Sequence, residues 1–133
     1  MRMRQRGFTL IELVIVLLVI SILVALGYPS YQEQIRKSRR AQVKADMMEL
    51  AQLAERWYTT NTTYQTFAIP AGLNVSPRTG GTVYYNLRIE VAPRAFTLTA
   101  VPQGPQAQDR CGTLTLDHAN RRTQSTGTAE ECW

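Results

Sequence analysis

Gly7-Phe8-Thr9-Leu10-Ile11-Glu12-Leu13, running on to Leu26, is the stretch that decides the fold. A short basic leader (Arg2, Arg4 and Arg6) ends in the glycine, an apolar run starts at once, and a lone carboxylate, Glu12, stands inside it. Phe8 to Tyr28 is 21 residues, which as a helix covers about 30 Å, the thickness of a bilayer's hydrocarbon core. Lys and Arg beside such a span are retained on the cytoplasmic side. No small-residue A-x-A pattern of the kind that ends a secretory signal follows the run. The chain instead continues through Gly27-Tyr28-Pro29-Ser30-Tyr31 into more helix-like sequence, so the span is expected to stay in the mature protein. A charge inside a bilayer costs roughly 2.5–3.5 kcal/mol on the gentlest scale, which makes Glu12 a functional candidate. The plainer reading places it at the membrane edge, reaching up to the headgroups.

Working outward, Ser21 interrupts the apolar run with a hydroxyl that can bond back within the helix. Gly27 and Pro29 weaken the helix together, since proline lacks the N–H that would bond the carbonyl four residues back. A kink is expected there, not a stop, because helical periodicity resumes. Val43, Met47, Leu50, Ala54 and Trp57 recur at spacings of four and three, widened by Ala51 and Tyr58, and predict an amphipathic helix with a buried stripe. Asp46, Glu49, Gln52, Glu55 and Arg56 form its expected solvated face. The helix is expected to end between Thr59 and Asn61. Asn61-Thr62-Thr63 fits a glycosylation acceptor pattern, read here as chance.

Tyr64 to Gly81 reads as an irregular connector, with two prolines and three glycines. From Val83 to Val91 apolar and polar residues alternate as in a half-buried strand. Ala92-Pro93-Arg94 turns the chain, and Phe96, Leu98 and Ala100 mark a second strand, an antiparallel hairpin partner. After a polar loop from Gln103 to Arg110, Leu114 and Leu116 mark a third strand. A short fourth is expected around Arg122 to Ser125. One long helix with an apolar stripe and three or four strands with one apolar face must bury each other, giving an α+β domain. Cys111 and Cys132 follow the span out of the cytoplasm, where an oxidising compartment pairs them in the one way available. Their bond would close the third strand and the chain end into a loop, a stabilisation of roughly 3 kcal/mol. Trp133, just outside it, is read as a packing residue.

Gly7-Phe8-Thr9-Leu10-Ile11-Glu12-Leu13 resembles the prepilin processing site of type IV pilins and pseudopilins. The resemblance implies a prepilin peptidase that cuts after Gly7 and methylates the new amino group of Phe8. It also implies that Glu12 meets the amino terminus of a neighbouring subunit, which suits a buried carboxylate that needs a cation. The implied division is residues 1–7 as a cleaved leader, 8–28 as a transmembrane and then filament-core helix, and 29–133 as the globular head. In the family, the segment matching Gly27 to Pro29 can lose helical structure as the filament stretches. Glu55-Arg56-Trp57-Tyr58 with Asn61-Thr62-Thr63-Tyr64, and Cys111-Gly112-Thr113-Leu114-Thr115-Leu116-Asp117 with Cys132-Trp133, resemble the PilE-type minor pilins. The implied function is a low-abundance pilus subunit that helps prime assembly and joins the initiation complex to the major pilin, supporting twitching motility and adhesion. The implied partners are other major and minor pilins, the inner-membrane assembly platform, and the membrane before assembly. The head would lie in the periplasm first and on the extracellular pilus later. A major pilin, a DNA-binding competence minor pilin and a type II secretion pseudopilin are the alternatives.

The formal charge is +5, but three of those positives are leader arginines and the head is nearly neutral, which gives little support to a nucleic-acid partner. Arg110, Arg121 and Arg122 near the disulfide loop are the residues that would serve one. Arg36, Arg40 and Lys44 form a stripe at four-residue spacing, with Lys37 and Arg39 alongside. It is read as a solvated helix face, a contact with anionic headgroups, or a seam against acids of a neighbouring subunit. No nucleophile, base and orienter set is present, and His118, the single histidine, falls in an expected turn. No metal-ligand spacing and no cofactor motif can be read, so the chain is not expected to be an enzyme.

Overall fold

The computed structural model describes residues 7–133; the leader arginines Arg2, Arg4 and Arg6 lie outside that range. One helix, α1, runs from Leu10 to Asn61. It includes Gly27 and Pro29 and ends where the sequence predicts. The chain divides into two units, Met1–Ile35 and Arg36–Trp133.

In the first unit the described side chains from Phe8 to Leu26 are solvent-exposed. The helix is long and apolar enough to cross a membrane by length and composition. Ser21 Oγ donates to the carbonyl of Leu18 at 2.7 Å, as its place in an apolar helix requires. Gln32 Nε2 donates to the Tyr28 hydroxyl at 2.9 Å, one turn back.

The second unit is an α+β domain. Its sheet is β1 (Val75–Ser76), β2 (Tyr85–Ala92), β3 (Ala95–Pro102), β4 (Leu114–Asp117) and β5 (Arg122–Gln124), paired antiparallel in that order. The hairpin of β2 and β3 turns at Pro93-Arg94, with Ala92 opposite Ala95 and Leu87 opposite Ala100. Leu98 then faces Leu116, and Ala100 faces Leu114, on the same side of the sheet. Val43, Met47, Leu50 and Ala54 of α1 are fully buried and pack with Tyr85, Leu87, Phe96, Leu98, Leu114 and Leu116 in one core. Burying each Val, Leu, Met or Phe side chain among these contributes about 1.5–3 kcal/mol. A 3₁₀ turn at Gly104–Gln108 and a one-turn helix, α2 (Ala129–Cys132), flank the β4–β5 strands in sequence.

Four expectations need correction. The sheet has five strands, because two residues of the Tyr64–Gly81 connector, Val75 and Ser76, pair with Asn86 and Tyr85. The strand from Val83 begins only at Tyr85. Trp57 does not finish the buried stripe: it keeps 38% of its surface, edge-on to Phe67. Asp46 is not on a solvated face, since the segment around Ser76 covers it: it is 5% exposed and accepts a 2.5 Å hydrogen bond from Ser76 Oγ.

Candidate functional site

The opening stretch places its residues as follows. Gly7 precedes the helix and has no atom within 4 Å of where a Cβ would stand. Phe8 is 85% exposed. Thr9 Oγ1 accepts a hydrogen bond from the Glu12 backbone N–H at 3.3 Å, so the threonine caps the helix start. Glu12 stands in the first turn of α1, where a negative charge complements the partial positive charge of the helix N-terminus. The spacing Thr9-x-x-Glu12 is that of a capping box. That signal was in the sequence, and the membrane-charge reading of Glu12 passed over it.

The basic stripe of the second unit is the larger surprise. Arg36, Arg40 and Lys44 pack on their own domain, while Lys37 beside them stays exposed to solvent. Arg36 Nη2 donates to Gln108 Oε1 at 2.8 Å. One turn on, Arg40 is 3% exposed and donates to the Asp109 carboxylate and to the Glu131 carbonyl, the latter at 3.4 Å. One further turn on, Lys44 Nζ donates to the Cys132 carbonyl at 3.1 Å. Arg39, beside the stripe, lies 3.6 Å over the Tyr84 ring. The four-residue period that puts like charges together also sets three donors in line with one lobe of the head. Burial lowers the Lys44 pKa, and repulsion from Arg40, Arg122 and Lys37 lowers it further.

That lobe is closed by the Cys111–Cys132 disulfide, with 5.6 Å between Cα atoms. Gly127 beside it sits at φ +75°, which strains an L side chain, and a Cβ there would stand a tight 3.1 Å from both Arg110 O and Cys132 Sγ. Asp109 also accepts from the Tyr85 hydroxyl at 3.3 Å, and Gln106 Nε2 donates to the Arg36 carbonyl at 3.1 Å. Burial raises the Tyr85 pKa; the hydrogen bond from Gln106 opposes this, and the Asp109 charge adds to it. Trp133 is a packing residue with a polar tie: it is half-buried, and Nε1 donates to the Thr123 carbonyl at 3.1 Å. Arg122 and Lys44 stand 5.7 and 5.9 Å from its ring.

His118 is exposed in the β4–β5 turn and edge-on to Phe96. It rims an open groove of about 490 Å³ floored by Met48, Ala51 and Leu116. Asp117 beside it holds the turn: burial alone would raise its pKa, but hydrogen bonds from the Arg121 N–H, the Arg121 guanidinium and the Ala119 N–H outweigh that and lower it. Among the described residues no cluster of three His, Cys, Asp or Glu is placed to hold a metal ion.

Residues 29–115 match the family described as "Type IV minor pilin ComP, DNA uptake sequence receptor", and residues 2–28 match the prokaryotic N-terminal methylation motif. The chain belongs to the type IV pilins. Among curated relatives, this pilin is 49% identical over 43 residues to the type IV major alpha-pilin of Moraxella bovis, which is 32% of this chain and 27% of that one. The match thus spans about a quarter of that relative's length. Similar solved structures cover more of the chain. The non-core minor pilin PilV of Neisseria meningitidis aligns at TM-score 0.56 and 25% identity, over 75% of this chain and 95% of that one. A type IV pilin of Shewanella oneidensis aligns at 0.54 and 29% identity, over 74% and 97%.

Proposed function

We propose that this pilin is a minor subunit of a type IV pilus, anchored by residues 8–28 in the inner membrane and then built into the filament. The observation that carries a filament role is the apolar surface of Phe8 to Leu26, exposed in the isolated chain. Such a surface needs lipid, or copies of the same helix, around it. The minor role is supported by the family match over the head, which is to a minor pilin. Prepilin peptidase would cut after Gly7 and methylate Phe8. Glu12 would then meet the amino terminus of a neighbouring subunit, and the inner-membrane platform and other pilins are the partners this route requires. Deleting the gene, shearing pili and counting subunits per fibre tests the assignment. Loss of fibres, with this chain rare in wild-type fibres, is the expected result; finding it as the bulk subunit would make it the major pilin. Replacing Gly7 should leave the leader attached and stop assembly.

A second reading, DNA reception, is favoured by the matched family, described as a DNA uptake sequence receptor. Arg122, over the Trp133 ring, is the best-placed cation for a phosphate and a stacked base. Against it, Arg121 already pairs with Asp117, and Arg110 with Glu131. Gel shifts of the purified chain at rising salt decide: phosphate binding falls steeply with salt, and no shift at low salt removes this reading.

A further inference from the structure

We propose that Arg40 is a positioning residue for the Cys111–Cys132 disulfide, holding the two chain arms that carry the cysteines together while both are still thiols. Arg40 is the one stripe residue with a hydrogen bond on each arm. Nη1 donates to Asp109 Oδ1, two residues before Cys111. Nη2 donates to the carbonyl of Glu131, next to Cys132. Lys44, one turn along, adds the carbonyl of Cys132 itself. The arms are 21 residues apart in sequence, so bringing them together unaided costs loop-closure entropy. The helix that carries Arg40 and Lys44 is held by local bonds, which form before non-local ones. Each arm can therefore dock on a surface that already exists.

The Arg40 and Asp109 side chains are 4% and 0% exposed, so salt screens their attraction little. The best-attested use of such a buried pair is to set register. Here the register set is that of the two thiols. Oxidation then joins Sγ of Cys111 to Sγ of Cys132. Two protons and two electrons pass to a disulfide-bearing oxidant, whose own S–S bond breaks to give two thiols.

The test uses the full chain in detergent micelles, equilibrated against mixtures of reduced and oxidised glutathione. After quenching with an alkylating reagent, the bonded fraction is read by mass spectrometry. Arg40→Met should lower the effective concentration of one thiol at the other by about tenfold or more. Arg78→Met, which removes the ion pairs with Asp46 and Glu49 elsewhere on the helix, should leave it unchanged. Because Arg40→Met strands a buried carboxylate, Arg40→Met/Asp109→Leu is measured beside it. This pair of changes should recover thermal stability yet keep the thiol equilibrium low. A double variant with the wild-type equilibrium would overturn the proposal, since Arg40 would then act only by neutralising Asp109. The Cys111→Ser/Cys132→Ser chain supplies an independent arm with Arg40 intact. Amides around Asp109 and Cys132 should stay protected from hydrogen exchange; exchange there as fast as in the unfolded chain, with β2 to β4 still protected, would equally overturn it.

Discussion

The two stretches of α1 on either side of Ile35 are the same secondary structure under opposite conditions. From Leu10 to Leu26 the large apolar side chains are exposed. From Arg36 to Asn61 the apolar residues form a stripe, and Val43, Met47, Leu50 and Ala54 are fully buried against a sheet. Helix propensity does not separate the two; the pattern of apolar residues does. An all-round apolar helix has no face to give a sheet and must be covered by lipid or other helices, whereas a striped one folds a domain. One chain thus carries a surface finished by folding and another left for its surroundings.

The largest effect expected to sharpen this contrast comes from cutting the same side chain in each stretch. Leu50→Ala should destabilise the head by about 2–5 kcal/mol, because it opens a cavity in a packed core. Leu17→Ala, at a position exposed in the isolated chain, should leave the head's thermal unfolding unchanged. Equal losses, measured by circular dichroism of the chain in micelles, would break the division into two units.

Alkaline titration should act on the head alone and more gradually. Burial, the hydrogen bond that Tyr64 donates to Glu55 and the Glu55 charge push the Tyr64 pKa up to about 12. A group whose folded pKa is raised contributes stability that is complete below its unfolded pKa and lost as pH rises through the folded one. Head stability should therefore fall between pH 10 and about 12. Tyr64→Phe should flatten that part of the curve, and Tyr85, shifted the same way, should carry what remains. An unchanged slope in Tyr64→Phe would mean that the hydroxyl is not held in the folded head.

How much of this was legible in the sequence depends on the range of the interaction that decides each feature. The stripe from Val43 to Ala54 and the alternation in β2, β3 and β4 are local patterns, and the structure follows them. β1 was missed because Val75 and Ser76 alone have no period to read; their partners, Asn86 and Tyr85, come from the next strand in the chain. Asp46 was assigned to solvent because periodicity gives a direction, not what lies over it, and the cover comes from Ser76 and Arg78. The basic stripe failed for the same reason: Arg40 and Asp109 are 69 positions apart. Glu12 is the reverse case, since its capping partner is three residues back and within reach of sequence reasoning.

A smaller acid effect belongs to the β4–β5 turn. The lowered Asp117 pKa means that its hydrogen bonds are complete above the ordinary carboxylate range and are lost as pH falls through the folded value. Amide exchange at Ala119 and Arg121 should quicken in acid. Asp117→Asn should remove that pH dependence while leaving the exchange of β2 and β3 as it was. Faster exchange throughout the sheet would show that the turn holds more than itself.

The smallest expected change in stability is at the helix start, and it separates two roles of one carboxylate. Thr9→Ala removes the cap and should cost about 1 kcal/mol or less of local helix stability, because exposed caps have that worth. Glu12→Gln keeps a side chain able to complete the capping box but removes the charge. If Glu12 serves only the helix end, Glu12→Gln should weaken the first turn no more than Thr9→Ala does, and both should assemble into fibres. If its charge meets a neighbour's amino terminus, Glu12→Gln should insert in the membrane normally yet be lost from sheared pili, while Thr9→Ala is incorporated. The contrast between the two stretches of α1 turns on that outcome. In the head, a charge such as Arg40 finds its partner within the fold; in the apolar stretch, Glu12 would find one only in another chain.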